Sequence, residues 1–219
     1  MIRVLLIEDN PADARLVEYY LQEAFGGDFS LVGAIRLSQG LTMLSGSKFD
    51  IVISDITLPD SKGLETFSSV AVAASGMPII VLTGSRDESL GLEAVRKGAA
   101  DFLNKSQLDS AILKRAIIYS LERHKLQKEL IAYAKKIEAK EKQLEEAQRM
   151  AHIGNWEWDV ATNTLNWSDE LYKIHGMTPQ RTTMSFDKSE EWIVPGDMLV
   201  IKSQMKNNFE EAKKAFEKD

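Results

Sequence analysis

The stretch IVISDITLPD, residues 51–60, predicts the architecture of the first half of the chain. Its apolar run lies between Asp50 and a Leu-Pro-Asp turn, a pattern typical of a buried strand. Asp55 then stands at the carboxyl end of that strand. Ligands of open α/β sheets bind in the crevice beyond these strand ends, so Asp55 is a candidate reacting carboxylate. Taken alone, one aspartate after a strand is explained as well by a helix cap or a turn.

The neighbouring segments repeat the alternation of an apolar strand with a helix. Residues 2–7 form a near-continuous apolar run, the pattern of a strand buried on both faces. Asn10-Pro11 predicts a helix start, with proline at the first helical position. Further strands are predicted over 31–35, 79–83 and 100–103, and helices over 38–44, 63–74, 87–97 and from about 108. Five strands alternating with helices predict an α/β fold for residues 1–121, a flavodoxin-like doubly wound sheet of five parallel strands.

Composition narrows the classes of function. The net charge of −6 and the pI of about 5.3 argue against a nucleic-acid or membrane-surface binder, which needs a basic face, and favour protein partners. The chain has no cysteine, which excludes disulfides, thiolate metal sites and cysteine nucleophiles within it. We find neither a signal peptide nor an 18-residue apolar run, and we therefore expect a cytoplasmic protein without a membrane segment in this sequence.

Chemistry-bearing residues follow four of the predicted strands. Because the carboxyl ends of parallel strands share one edge of a sheet, we expect Glu8, Asp9, Asp55, Thr83 and Lys105 to converge there. Converging carboxylates bind a hard cation such as Mg²⁺, which accepts phosphate oxygens. A metal cancels the repulsion between carboxylates, and one aspartate can then attack phosphorus. Each residue has an ordinary explanation alone, such as a loop acid, a strand-end cap or a surface lysine, but the set predicts phosphoryl transfer.

Residues 1–121 resemble the receiver domain of two-component response regulators. The resemblance rests on four runs, which are VLLIEDN, SDITLPDSKGLETF, LTGSRDE and AVRKGAADFLNK. It implies that Asp55 is the phosphoacceptor and that Glu8 and Asp9 hold Mg²⁺, with the backbone carbonyl of Thr57 completing the metal shell. The phosphoryl donor would be a cognate histidine kinase or a phosphotransfer protein. The domain would be catalytic only toward itself, and no turnover enzyme is expected in this segment.

The same resemblance assigns a switch. Thr83 and Lys105 match the hydroxyl and the lysine that meet the phosphoryl group, and Phe102 matches the aromatic rotamer switch three residues before the lysine. Phosphorylation would draw Thr83 inward and let Phe102 rotate, so that the surface around residues 84–117 repacks. Gly84 stands where an alanine is common after the threonine. This difference bears on the mobility of the following loop and not on the chemistry of the site.

Residues 122–150 contain neither glycine nor proline and predict a long helical connector. A row spaced alternately by four and three residues is the heptad pattern of a coiled coil, broken by one lysine: Leu126, Leu130, Tyr133, Ile137, Lys140, Leu144 and Ala147. We favour a parallel two-stranded coiled coil, and therefore a homodimer through residues 122–150. The alternative is a single solvated helix with charge pairs such as Glu138–Lys142.

Two other interpretations of the connector are weaker. The first is a phosphohistidine at His124, which is disfavoured because the neighbouring residues do not match the run around the phosphohistidine of a sensor kinase. We therefore interpret His124 as a surface histidine. A basic leucine zipper is disfavoured, because glutamates interrupt each basic cluster.

Residues 151–219 differ in composition and contain Trp156, Trp158 and Trp167. The stretch AHIGNWEWDVATNTLNWSDELYKIHGM, residues 151–177, resembles the opening of a PAS sensor domain with a tryptophan-rich first hairpin. The resemblance implies a partial α+β PAS fold, cut short at Asp219, with an output such as a kinase core or a cyclic-dinucleotide enzyme beyond it. The tryptophans are better explained by packing than by a cofactor site.

Two rival functions remain for the first domain. A phosphohydrolase of the haloacid dehalogenase kind also uses an Asp-x-Thr run such as Asp55-Ile56-Thr57, but its nucleophile ends the first strand rather than the third. A flavodoxin-like cofactor binder needs a Ser/Thr/Gly-rich phosphate loop after the first strand, where this chain has Glu8 and Asp9.

Overall fold

A computed structural model describes residues 1–74, 76–84, 88–159, 162–179, 184–185, 194, 196, 199–200 and 203–204. The chain divides into two compact units, Met1–Ala134 and Lys135–Asp219. Most of the predicted PAS part after residue 185, and the predicted helix start at residue 87, lie outside the described residues. Among the described helices, none is both long and apolar enough to cross a membrane.

The first unit is an alternating α/β structure. Its elements are β1 (Ile2–Ile7), α1 (Pro11–Phe25), β2 (Phe29–Ala34), α2 (Leu37–Gly46), β3 (Ile51–Asp55), β4 (Thr57–Leu58), β5 (Ser61–Lys62), α3 (Leu64–Ala74), β6 (Ile79–Thr83), α4 (Glu88–Arg96), β7 (Asp101–Asn104) and the N-terminal part of α5 (Ser110–Ala151). Five strands form a parallel sheet in the order β2-β1-β3-β6-β7. The predicted flavodoxin-like sheet of five parallel strands is therefore confirmed.

Both faces of this sheet are covered by helices. Successive residues of β1 point to opposite faces, so that Leu5 and Ile7 pack in one apolar cluster and Val4 and Leu6 in another. The first cluster lies under α2, α3 and α4, and the second lies under α1 and α5. Every residue of β3 and β6 is buried, as the apolar runs predicted.

Three local features fix the loops around the strand ends. Asn10 caps α1 by accepting a hydrogen bond from the Ala12 N–H at 2.9 Å, next to Pro11 at the first helical position. After β3 the chain turns through the short antiparallel pair β4–β5, which the sequence did not predict. A 3₁₀ turn over Lys105–Gln107, capped by Asn104, delays the start of α5 to Ser110 rather than residue 108.

Helix α5 runs without interruption over Ser110–Ala151. Its buried residues are confined to the first turns, Leu113, Ala116, Ile117 and Ser120, which pack toward the sheet. The Arg123 guanidinium donates a hydrogen bond to the carbonyl of Ala100, the residue before β7. His124 is half-buried rather than fully on the surface, and burial, with the nearby Lys128 charge, lowers its pKa.

The second unit begins with the C-terminal part of α5. The helix ends at Ala151, and the next residue, His152, adopts the left-handed conformation (φ 51°), while the Ile153 N–H donates to the Gln148 carbonyl at 2.9 Å. An antiparallel sheet follows, in the order β10-β9-β8, from β8 (Trp156–Asp159), β9 (Thr164–Trp167) and β10 (Met184–Ser185). Helix α6 (Asp169–Ile174) lies between β9 and β10 in the chain and is capped by Ser168.

Candidate functional site

The parallel sheet brings three acidic residues together at the carboxyl ends of its central strands. Glu8 follows β1, Asp55 ends β3, and these two strands are neighbours in the sheet. One carboxylate oxygen from each of Glu8, Asp9 and Asp55 lies within 4.8 Å of the others. Glu8 and Asp55 are buried, and Asp9 is exposed. The acidic convergence expected from the strand ends is therefore present.

The ammonium group of Lys105 contacts two of these carboxylates and, in addition, that of Asp13. Its Nζ lies 2.6 Å from Glu8 Oε2, 2.6 Å from Asp55 Oδ2 and 3.0 Å from Asp13 Oδ2. An ammonium group has three N–H donors, so each donor can face one carboxylate. The lysine comes directly after β7, and the sheet thus joins residues that are separated by 50 positions in the chain.

Burial and charge act in opposite directions on this ion cluster. Burial alone would lower the pKa of Lys105, but its hydrogen bond to Asp55, its ion pair with Glu8 and its hydrogen bond to Asp13 outweigh burial and raise the pKa of the ammonium group. Burial raises the pKa of Glu8, and the nearby Asp55 charge adds to that effect, while Lys105 opposes it. The lysine is therefore held firmly in its charged form, and it is the principal counter-charge to the buried carboxylates.

The Asp55 side chain is held at both of its oxygen atoms. The Thr57 backbone N–H donates to Oδ1 at 2.8 Å, while Lys105 holds Oδ2. The turn that carries Thr57 is fixed in its own right, since the Gly63 N–H donates to the Ile56 carbonyl at 2.7 Å. A carboxylate oriented in this way presents a defined face to the crevice beyond the sheet. The predicted metal contact of the Thr57 carbonyl stays a prediction.

Thr83 and Phe102 lie on the adjacent strands. Thr83 ends β6 and is fully buried, and its hydroxyl has no hydrogen-bond partner among the residues that the structure describes. A buried hydroxyl without a hydrogen-bond partner costs free energy, and a ligand oxygen beside Thr83 would remove that cost. Phe102, on β7, is half-buried against α4, where Gly91 leaves room for its ring.

Two acidic residues make specific contacts that the sequence did not predict. Asp13 lies in the first turn of α1 and contacts Lys105 across 92 positions of sequence. Asp60, which follows the turn at Pro59, accepts hydrogen bonds from the backbone N–H groups of Leu37 and Ser38 at 2.9 and 3.0 Å. It thus caps α2 from a distant loop. The acidic first turn after Pro11 was a signal for Asp13, whereas no local pattern joins Asp60 to α2.

The donor atoms of the cluster suit a hard divalent cation. Glu8, Asp9 and Asp55 offer only carboxylate oxygen atoms as ligands. Hard cations such as Mg²⁺ and Ca²⁺ prefer oxygen ligands, whereas soft metals prefer sulfur. The carboxylate spacing of up to 4.8 Å is close to the roughly 3 to 4.2 Å that separates oxygens around an octahedral Mg²⁺. The residues therefore fit such an ion after small side-chain shifts.

Comparison with known families decides the class of this domain. Residues 4–117 match the family model described as the response regulator receiver domain. The chain belongs to this family. Its first domain is a phosphoacceptor receiver module, and neither the family match nor the relatives support the dehalogenase-type hydrolase that shares the Asp-x-Thr run.

Several curated relatives of the receiver domain are named as transcriptional regulatory proteins. The chain is 31% identical over 119 residues to the transcriptional regulatory protein GlrR of Escherichia coli K12, covering 54% of this chain and 26% of GlrR. It is 30% identical over 140 residues to MalR of Bacillus subtilis, covering 60% of this chain and 59% of MalR. The match thus spans a quarter of GlrR and somewhat over half of MalR.

Solved structures agree on the fold. Full-length FixJ from B. japonicum is 27% identical with a TM-score of 0.54, and the match covers 63% of this chain and 66% of FixJ. A receiver domain from Clostridium thermocellum has a TM-score of 0.52 at 23% identity, covering 58% of this chain and 99% of that domain. The latter likeness concerns the fold alone.

Proposed function

We propose that Asp55 is the phosphoacceptor of this receiver domain. The observation that carries the proposal is the position of its carboxylate, held by the Thr57 N–H and Lys105 and placed beside Glu8 and Asp9. The donor would be the phosphohistidine of a histidine kinase or of a phosphotransfer protein. An Asp55 oxygen attacks phosphorus, the phosphorus–nitrogen bond breaks, and the electron pair remains on the histidine ring.

Mg²⁺ is the proposed cofactor, held by Glu8, Asp9, Asp55 and the backbone carbonyl of Thr57. When bound, the ion would offset the negative charge that collects where a carboxylate meets phosphoryl oxygens. The oxygen-only donor set and the close approach of the three carboxylates support this assignment. We also propose a cytoplasmic location, because the kinase domain that donates the phosphoryl group would lie in the cytoplasm.

Three other side chains would respond to the added charge. Lys105 exchanges its bond to Asp55 Oδ2 for a phosphoryl oxygen, and the unpaired Thr83 hydroxyl donates to another. Movement of Thr83 vacates space beside β7, and Phe102 turns into it, away from Gly91. The surface next to β7 and α4 then changes its shape, which is how the charge would alter the choice of partner.

Intact-mass spectrometry after incubation with acetyl phosphate and Mg²⁺ tests the acceptor. We expect one phosphate adduct, lost in Asp55→Asn and retained in Asp28→Asn, an exposed aspartate outside the site. Adduct formation that survives Asp55→Asn contradicts the assignment. Release of many phosphates per protein without an adduct would favour the hydrolase instead.

The exposed part of α5 supports a homodimer through residues 122–150, with the receiver as residues 1–121. We call the row Leu126, Leu130, Tyr133, Ile137, Lys140, Leu144 and Ala147 the seam. Its five large apolar side chains are 55–71% exposed, although their spacing is that of a coiled-coil core. Within residues 110–151, all described, no ion pair joins two side chains of α5, which weakens the single-helix alternative. A second copy would cover the seam.

Residues 151–219 are proposed to be the N-terminal part of a PAS domain. An antiparallel hairpin followed by a capped helix supports this assignment, with Gly154 in close contact with Leu171 of α6. Trp167 packs against the rings of Tyr172 and His175, which agrees with a structural role for the tryptophan. The second unit has a cavity of about 660 Å³, but charged side chains of α5 and α6 line much of it, and we assign it no ligand.

A further inference from the structure

The charges that flank the seam distinguish between the possible ways of pairing two α5 helices. The spacing of the seam places Leu130, Ile137 and Leu144 at the first (a) core position of successive heptads. In a parallel coiled coil, the residue before each such position faces the residue five places later on the other helix. Three such pairs flank the seam: Glu129 with Ala134, Lys136 with Glu141, and Gln143 with Gln148. The same spacing one heptad earlier, where Arg123 takes the a position, adds Glu122 with Gln127.

Only the pair Lys136–Glu141 has a charge on both sides, and the two charges are opposite. Both residues are exposed. Neither forms an ion pair within the part of the chain that the structure describes. Glu141 borders the cavity of the second unit but forms no ion pair there, so each charge is available to a second helix, and two such pairs would form in a symmetric dimer.

Antiparallel pairing loses this attraction. Two antiparallel arrangements keep the seam residues of both helices packed against each other. In the first, the two helices cross near residue 138, and Lys136 lies opposite Gln143 of the partner subunit. In the second, they cross near residue 135, and Lys136 lies opposite Lys136 of the partner subunit, which is repulsive. In the parallel arrangement, Lys140 lies at a core position next to Glu141 of the partner subunit, whose carboxylate offsets the cost of a lysine in the seam.

We infer that two α5 helices pair in parallel and in register, with Lys136 of each bound to Glu141 of the partner subunit. The inference rests on the homodimer proposed above. Beyond the parallel orientation that the heptad pattern favours, it specifies the register and the charge pair that selects it. The chain itself is thus the partner of the seam, and one pair of charges selects the register. Charge selection of this kind acts chiefly by penalising the other arrangements.

Cysteine cross-linking tests the orientation, because the natural chain has no cysteine. Leu130→Cys and Ala147→Cys should each form a disulfide with the same position of the partner subunit under mild oxidation. Ala139→Cys, on the outer side of the helix, serves as the matched control and should not. Positions 130 and 147 lie about 25 Å apart along a helix, so a mixture of the two variants should give no mixed product. Mixed product without self cross-links, from a protein that sediments as a dimer, overturns the parallel orientation alone.

Charge reversal tests the register. Lys136→Glu and Glu141→Lys should each raise the dimer dissociation constant about ten-fold, because two attractions become two repulsions. The double variant should return to within about three-fold of the parent. Lys135→Glu, on the outer face, is the control and should change little. A dimer dissociation constant for the double variant that is higher than that of both single variants overturns the register. A parent protein that is monomeric contradicts the homodimer itself. Phosphate uptake at Asp55 is measured separately and bears on neither result.

Discussion

At the carboxyl ends of β1 and β3, one ammonium group faces three carboxylates at 2.6–3.0 Å. Removing a single partner from a buried ion cluster leaves the remaining charges uncompensated. Glu8 and Asp55 are the buried members, so they depend on Lys105 most, while Asp13 is partly exposed and can turn toward water. The same lysine is the group proposed above to bind a phosphoryl oxygen.

Lys105→Ala should therefore slow phosphorylation about 10²-fold, the usual cost of losing a preorganised donor to a developing oxyanion. The rate is measured as the appearance of the phosphate adduct by intact mass at fixed acetyl phosphate and Mg²⁺. Lys62→Ala, an exposed lysine in the neighbouring hairpin, is the control and should leave the rate unchanged. Equal rates in parent and Lys105→Ala would contradict the proposed part of Lys105 in the transfer.

Asp60 makes the stability of the first unit depend on pH. Its hydrogen bonds, first that from the Ser38 N–H, lower the pKa from 3.8 to about 2. A lowered pKa in the folded state means that the ionised form stabilises the fold above about pH 4, and that this contribution disappears as the pH falls through about 2. Asp60→Ala should therefore lower the melting temperature at pH 6 and make little difference near pH 2. Scanning calorimetry across this range, with Asp28→Ala as control, measures the difference.

The residues of the site were predictable to the extent that they end strands. Glu8, Asp55, Thr83 and Lys105 follow apolar runs, and parallel strands bring their carboxyl ends to one edge whatever the side chains do. Asp13, Gly91 and Asp60 could not be found in this way. Their roles depend on distances between side chains or loops of different elements, which a linear pattern does not contain.

At the scale of elements, β7 and α4 meet where Phe102 packs on Gly91. A Cβ placed on Gly91 would lie 2.5 Å from Phe102 Cδ2, which no packed structure tolerates without a shift. Alanine normally stabilises a helix interior by up to about 1 kcal/mol over glycine. Here the close contact with the ring opposes that gain.

Gly91→Ala should therefore destabilise the first unit by about 1 kcal/mol in urea unfolding, as overpacking does. In a Phe102→Ala background the ring is gone, and the same substitution should stabilise instead. A stabilising effect in both backgrounds would show that the ring does not press on α4.

The elements themselves were largely predictable, and the exceptions are instructive. Strands β1, β3 and β6 are buried on both faces, so their apolar runs left little ambiguity. The pair β4–β5 has two residues in each strand and is too short to produce a periodic signal. The start of α5 moved because Asn104 caps a 3₁₀ turn first, a competition between local hydrogen bonds that composition does not resolve.

At the scale of the whole molecule, one helix carries both buried and exposed apolar residues. Leu113 and Ile117 are fully buried, whereas Leu126, Leu130 and Ile137 are more than half exposed. An apolar row of this length is unfavourable in water unless another surface covers it. Self-association is the simplest way to cover it.

Leu130→Lys should convert the proposed dimer to a monomer, because it places a charge in the seam. Ile131→Lys is a closely matched control: the neighbouring residue is also apolar and 57% exposed, but it lies outside the seam. Sedimentation equilibrium at micromolar concentration distinguishes the two. A monomer for the parent, or a dimer for Leu130→Lys, would contradict pairing through the seam.

The bond from Arg123 to the Ala100 carbonyl has a mechanical consequence. Ala100 precedes β7, the strand that carries Phe102 and leads into Lys105, while Arg123 lies where α5 leaves the sheet. A displacement of β7 at the Lys105 end would also move Ala100 at the other end, and with it the hydrogen bond to Arg123. A shift of β7 would therefore reach α5 at two places, the packed side chains of Leu113 and Ile117 and the guanidinium group of Arg123.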